Sequence, residues 1–422
     1  MTEPTESPRP RIVLVFPSQS YRVEAFLRAA ARMGVELALG TDLPAAFAQL
    51  GAEVIALDLR SPEEAAARLV AEGRSTPFAA ILGTNEQSAL VAALASRALG
   101  LPCSSPEGAL AARDKRRMRA LFAEHGVPSP RFRVLPRDAD PRALVEEQRF
   151  PCVVKPPMLT GSQGVIRADT PDELFRAVAR VRAILDHHTS PAARDPSFHD
   201  VIVEDYLPGR EVAVEALMTD GVLSPLAIFD KPDDLTGPFF EETLYVTPSR
   251  LGAAEQRDLL DVTARAARAM GLGHGPIHAE LRTHQGRAAM VELAARSIGG
   301  LCSRVFQLAA GPLEDLLIAH ALGRPIAPRV ASGAAGVMMM PIPRSAVLRE
   351  VSGLDEARAV PGVDEVTIAA RPGEALRALP EGASYLGFLF AHGDSPEAVE
   401  LSLRTAFAAL RFTWSPLLEP LR

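Results

Sequence analysis

Apolar and polar positions follow two rhythms along this chain, and the switches between them mark its elements. RIVLVF, VELAL, EVIAL and FAAIL, between Arg11 and Leu82, are short unbroken apolar runs suited to strands buried on both faces. Between them AFLRAAARMG, SPEEAAARLVAEG and NEQSALVAALASRALG carry apolar residues at helical spacing. This alternation implies βαβ units and a parallel sheet. Ser61 before Pro62, with Glu64 beyond, is a capping-box helix start. VFPSQS lacks GxGxxG, so a dinucleotide-binding reading has little support.

PEGALAARDKRRMRALFAEHG predicts one helix or a broken pair, ended at Gly126 with Pro128 beyond. There follow a strand RFRVL, a helix around PRALVEEQ, a strand PCVVK, the loop PPMLTGSQG, a strand VIRA and a helix opened by Thr170. DHHTSPAARDPSFHD reads as an exposed loop, with His187, His188 and His199 as surface residues. VIVEDYL is a strand, and REVAVEALMTDGVLSPLAIFD a hairpin turning at Asp220-Gly221. Helices are expected from Ala253 to Gly271 and over GPLEDLLIAHALG, ended by Gly323. From about Val330 come strand-like pieces, GVMMMPI, EVTIA and GFLFAHG, and a helix from Asp394 to about Arg411.

The segment HAELRTHQGRAAMVELAARSIGG, His278 to Gly300, alternates on both sides of a short turn and predicts another hairpin. A three-residue loop, His284 to Gly286, would put Glu280 and Glu292 on one face; a two-residue loop, Gln285-Gly286, would send them to opposite faces. Two carboxylates on one buried face repel and need a cation beside them. A solvated hairpin with two exposed glutamates is the alternative.

Composition narrows the class. With 47% hydrophobic and 23% charged residues in 422, the chain is ordinary globular protein, long enough for about two to four domains. A net charge of −7, spread along the chain, argues against a broad basic surface for nucleic acid. Cys103, Cys152 and Cys302 lie far apart without metal-ligand spacing and read as buried thiols in a reducing compartment. No apolar run reaches transmembrane length, and MTEPTESPRP is unlike a signal peptide. The expectation is a cytoplasmic protein with a frayed tail, binding neither nucleic acid nor membrane.

Lys155 ends an apolar strand just before Thr160-Gly161-Ser162-Gln163-Gly164, and an ammonium beside exposed backbone N–H groups can bind phosphate. A plain hairpin turn is the competing reading of that loop. Lys115, in DKRRMR, would ordinarily be a solvated helix residue. Glu204, Asp205, Tyr206 and Leu207 end a strand, Pro208-Gly209 turns the chain, and Glu211 opens the next strand. Such a connection can present backbone groups and a carboxylate to an adenine edge and a ribose, or be a β-turn with flanking acids.

The order of these pieces is more specific than any one of them. DK at Asp114-Lys115, VVKP followed by GSQGV, VEDYLPGREVAVE, and HAE before VELAAR-x-x-GG resemble, over nearly the whole chain, the ATP-grasp superfamily of carboxylate–amine ligases. The likeness is nearest to bacterial L-amino-acid ligases, whose C-terminal domain SGLDEARAVPGVDEVTIAARPGEALRAL also resembles. The resemblance implies an α/β and α+β fold: a half-Rossmann pre-ATP domain over residues 11–108 and an ATP-grasp domain over 109–330. The latter would have a mixed sheet and a lid subdomain at about 130–205, and a C-terminal α+β domain would follow over 331–422.

By the same resemblance, Lys115 and Lys155 hold the α- and β-phosphates of ATP and the loop from Thr160 closes over the γ-phosphate. Glu204 and the Asp205–Leu207 backbone take adenine, and Glu211 takes ribose. Glu280 and Glu292 ligate one or two Mg²⁺ ions, with Mn²⁺ able to substitute. Arg296 holds the substrate carboxylate and then the tetrahedral intermediate. Ala294 stands where many ATP-grasp enzymes have Asn, which leaves a second ion one protein ligand short. Glu242 and Tyr245 match the place where an acid meets a substrate amino group, with Glu241 a fallback, and the Gly299-Gly300 backbone lies against the substrate. Glu86 matches an acid reaching the same pocket, or else favours its own helix dipole. His278 is expected to face Glu292 across the hairpin and to make a hydrogen bond behind the metal ligands. The implied reaction joins a small-molecule carboxylate, an amino acid, to an amine through an acyl phosphate. A homodimer is left open. The alternatives are another carboxylate activation on this fold, as in purine biosynthesis or biotin carboxylation, or a nucleotide-binding protein without catalysis.

Overall fold

The computed structural model describes residues 9–188, 193, 195–309, 311–326 and 333–417. Most of the expected tail, and the expected boundary at 331, lie outside them. The strands Val54–Ala56, Glu36–Thr41, Arg11–Val15 and Ala80–Gly83 pair in that order, all parallel. Ile12, Leu14 and Phe16 pack with helix Val23–Met33, and Val13 and Val15 with helices Pro62–Ser75 and Glu86–Leu99. Both faces are covered, which is why the strands read as unbroken apolar runs. Ser61 stands at the N-cap but makes no capping bond: its ψ is 82°, against 178° for Asn85, whose side chain does cap its helix.

The strands Phe132–Leu135, Val201–Asp205, Cys152–Lys155 and Ile166–Ala168 form an antiparallel sheet under helix Pro171–Asp186. The helix expected around PRALVEEQ is only a 3-10 turn, Pro141–Leu144; Leu144 enters the core, Val145 packs at its edge, and no longer apolar stripe continues the helix. The expected exposed loop after it contains another such turn, Pro196–His199, which buries Phe198.

The largest sheet has eight strands, from Arg287–Ala294 at one edge through Gly275–His284, Arg210–Thr219, Val222–Asp230, Leu244–Thr247, Ala334–Met340 and Gly387–Gly393 to Val363–Ile368. Its pairings are antiparallel, so parallel and antiparallel character is divided between sheets rather than mixed within this one. Helix Ala253–Ala269 covers one face. A small sheet, Ala375–Leu376, Ala346–Ser352 and Arg411–Pro416, escaped the sequence pattern because its strands are half-exposed and carry charge.

The hairpin resolves in an unexpected way. His284 pairs with Arg287, so the loop is the two-residue Gln285-Gly286, with φ of 53° and 73°. That register alone would place Glu280 opposite Val291. A bulge at Val291 adds one residue on that strand: Leu281 pairs with Met290, but Glu280 pairs with Glu292. The carboxylates therefore share a face through the bulge, not through the longer loop.

Candidate active site

A cavity of about 440 Å³ lies between the four-stranded antiparallel sheet, the eight-stranded sheet and the loop after Ala294. One end of it is built on a buried three-body charge cluster. Glu204 accepts from Arg119 at 2.7 and 3.3 Å and from Lys155 at 2.7 Å. Arg119 also donates to the carbonyl of the bulge residue Val291 at 2.7 Å, tying the cluster to the hairpin. Burial brings Lys155 down to about 8, with Glu204 opposing the fall. Burial would raise Glu204, but Arg119 and Lys155 overcome it and hold its pKa low. Lys115, at the start of helix Lys115–Glu124, is buried rather than solvated; its Nζ donates to the Leu159 carbonyl at 2.9 Å and lies 3.2 Å from Glu292.

Tyr206, Leu207 and Phe240 form an apolar wall, with Tyr206 and Phe240 stacked at 6.5 Å. Arg282 fixes this corner by donating to the Leu207 carbonyl at 2.8 Å and to Glu211 at 3.0 Å. The amides of Asp205 and Tyr206 already bond to the carbonyls of Arg131 and Pro151.

A second cluster surrounds Lys231. Its Nζ lies 2.8 Å from Glu211, 2.6 Å from Glu242 and 3.3 Å from Glu280. Burial works against this ammonium, but the three acids outweigh it and raise its pKa well above the ordinary lysine value. Burial, then repulsion from Glu280, pushes Glu242 up to about 7. Tyr245 donates to Glu242 at 2.9 Å. Carboxylate oxygens of Glu211, Glu242 and Glu280 all lie within 4.8 Å of one another. Glu292 stands opposite Glu280 in the strand register, but its carboxylate lies by Lys115 rather than in this group of three around Lys231; the four acids offer only oxygen, which suits a hard divalent cation.

His278 pairs across the hairpin with Ala294, so it does not face Glu292. Its ring bonds instead to Glu215 and, at 3.4 Å, to Glu280. Burial opposes its charge, but Glu215 carries it up to about 9. The other oxygen of Glu215 accepts from the Ile298 amide at 3.0 Å and so holds the loop that bears Arg296. Arg296 donates to Glu86 at 2.8 Å and to the Ser297 carbonyl at 3.0 Å. Glu86 occupies the first turn of its helix, and its carboxylate is taken up by this guanidinium.

Three family models match the chain in order: an ATP-grasp N-terminal domain over residues 27–103, an ATP-grasp domain over 148–305, and an L-amino acid ligase C-terminal domain over 338–415. The chain belongs to the ATP-grasp family. An L-amino acid ligase from Bacillus licheniformis shares the fold, with a TM-score of 0.81 at 24% identity, covering 97% of this chain and all of that one. The alanine–anticapsin ligase of Bacillus subtilis is 30% identical over 52% of this chain, a match that spans only 48% of that relative's length. A D-alanine–D-alanine ligase of Pseudomonas putida is 29% identical over 64% of this chain and 84% of its own.

In this ATP-grasp chain the cavity wall brings together Lys115, Lys155, Thr160, Gly161, Ser162, Glu204, Asp205, Tyr206, Leu207, Glu211, Glu242, Tyr245, His278, Glu280, Glu292, Arg296 and Gly299. Glu86, Gln163 and Gly164 do not line it, and Gly300 begins the short turn beyond it. Glu241, the fallback, points elsewhere, accepting from the Ile342 amide. Sequence reasoning missed Lys231, Arg119, Arg282 and Glu215. Lys231 follows the strand end AIFD, a weaker signal than that of Lys155, because an acid intervenes and no glycine-rich loop follows. Arg119 was hidden in DKRRMR, where a buried guanidinium and solvated neighbours look alike.

Proposed function

We propose that this protein is an ADP-forming ligase that activates the carboxylate of an amino acid and joins it to an amine, giving a dipeptide or amide. The observation that carries the reading is the pairing of Glu280 with Glu292 in a cavity that also contains Lys115, Lys155 and Arg296. Lys115 and Lys155 hold the ATP phosphates, the Thr160–Val165 loop covers them, and the Tyr206–Leu207–Phe240 wall takes adenine. Glu211 takes the ribose. Glu280 and Glu292 hold Mg²⁺, one ion or two with Mn²⁺ an acceptable substitute; when bound it offsets phosphate charge.

A carboxylate oxygen of the substrate attacks the γ-phosphorus, and the bond to ADP breaks. The amine nitrogen then attacks the acyl carbon, and phosphate leaves with the C–O bond pair. The amine proton passes to solvent or to the departing phosphate. Arg296 faces the carboxylate and then the charge on the tetrahedral oxygen, where a fixed guanidinium is most effective. Glu242 takes the substrate ammonium, oriented by Tyr245 and Lys231. Catalysis is positioning and charge neutralisation, without a covalent enzyme nucleophile. Among the described residues no helix is long and apolar enough to cross a membrane; we place the reaction in the cytoplasm. The test is phosphate release from Mg·ATP with mixtures of amino acids and amines. ATP binding without release across a broad panel would favour a non-catalytic nucleotide-binding protein.

A further inference from the structure

The loop that covers the phosphates is touched from a part of the chain more than two hundred residues away. The segment Arg377–Tyr385 is anchored at both ends: Leu376 pairs with Ala346, and the Leu386 amide donates to the Met340 carbonyl at 2.9 Å. In between it leaves the C-terminal sheets and crosses to the lid. There the Gly164 amide donates to the Pro380 carbonyl at 2.9 Å, and Gln163 Nε2 to the Glu381 carbonyl at 2.8 Å. Arg180, on the lid helix Pro171–Asp186, grips the Glu381 carboxylate through both of its oxygens, at 2.7 and 3.0 Å. Ala383 lies against Gly161 and lines the cavity, as does Tyr385.

Arg180 has a second contact. Its guanidinium sits 5.1 Å from the Phe239 ring, in the segment that delivers Glu242 to the site. One residue of this helix thus touches two of the stretches that bring side chains to the cavity. The loop takes positive φ at Gly161, Ser162 and Gly164, and its two glycines leave the chain many other conformations when it is not held. Ordering such a loop over a ligand costs entropy unless its closed form is already held.

We propose that Arg377–Tyr385 is a latch for the glycine loop, with Glu381 and Arg180 as positioning residues that keep it closed over the nucleotide. The latch makes the C-terminal region part of the nucleotide site and shields the activated carboxylate from water. It rests on the nucleotide reading of this loop and is independent of which substrates are joined.

The test measures affinity of the full-length protein for a non-hydrolysable ATP analogue with Mg²⁺, protease cleavage at the glycine loop, and phosphate released per product formed. Glu381→Ala or Arg180→Ala should weaken analogue binding about two- to fivefold, the worth of a half-exposed ion pair. Each should also speed cleavage of the loop and raise phosphate released per product. Glu381→Arg, facing Arg180, should weaken binding further, and the exchange Arg180→Glu with Glu381→Arg should restore it. A purely structural pair would change thermal stability but leave analogue affinity and the phosphate ratio alone. If the wild type binds the analogue and the variants bind equally well, or the exchange fails to restore binding, the latch is refuted while the nucleotide reading stands. If the wild type does not bind the analogue, both fall.

Discussion

Replacing Glu204 by Gln keeps its size and removes the single acid between two buried cations. In the native protein that carboxylate accepts from Arg119 and Lys155, with the three side chains between 0% and 6% exposed. Breaking a buried charge pair on one side costs about 3–5 kcal/mol. At about 2–4 °C per kcal/mol for a cooperative unit of this kind, the midpoint of thermal unfolding should fall by roughly 6–20 °C. A second effect is specific to the nucleotide site. Lys155 sits at about 8, below the ordinary lysine value, so its charge is present below pH 8 and is lost as pH rises through it. Removing the acid that opposes this fall should lower Lys155 by roughly a further 1–3 units. The ammonium would then be lost before neutral pH is reached. The assay is kcat/KM for ATP between pH 6 and 9, which reports free-enzyme ionisations, alongside thermal unfolding. The wild type should decline near pH 8 and the variant near or below pH 7. A variant with wild-type stability and an unmoved pH profile would refute the three-body account.

Glu292→Gln should abolish turnover, by about a thousandfold or more, while thermal stability changes little because Glu292 is only partly buried on the cavity wall; phosphate release and unfolding measured together check both halves. Arg296→Lys keeps the charge but loses the planar fork, so kcat should fall about 10²–10³-fold with KM for ATP nearly unchanged in steady-state kinetics. Burial, reinforced by His274, holds His320 down at about 4. The unfolded chain therefore binds a proton near pH 6.5 that the native state refuses, and stability present above that pH is lost as pH falls towards 4. After allowance for solvent screening the loss is on the order of 1–2 kcal/mol, and His320→Gln should flatten that part of the stability profile in urea titrations.

Much of this fold is local in origin and could be read from the chain. Ile12 to Phe16 announce a strand covered on both faces, and Asp220-Gly221 a tight hairpin, because neighbouring residues decide those features. The hairpin of Glu280 and Glu292 shows where locality ends. Its bulge leaves only a faint trace: the core residues Ala288, Met290 and Leu293 step by two and then by three. The buried cations were least legible. Lys231, Arg119 and Arg282 become site residues only because acids from distant strands converge on them, and nothing beside them in sequence names those partners. Likewise, Gln163 and Gly164 were expected at the phosphates, but they turn to the C-terminal segment, a contact set by tertiary packing alone.

Oxygen transfer tests the central claim most directly. With an amino-acid substrate carrying ¹⁸O in its carboxylate, activation as an acyl phosphate must move one labelled oxygen into the phosphate released with each product. Mass spectrometry of that phosphate should find one ¹⁸O per turnover, with ADP as the nucleotide product. Unlabelled phosphate, or AMP and pyrophosphate in place of ADP, would contradict the account.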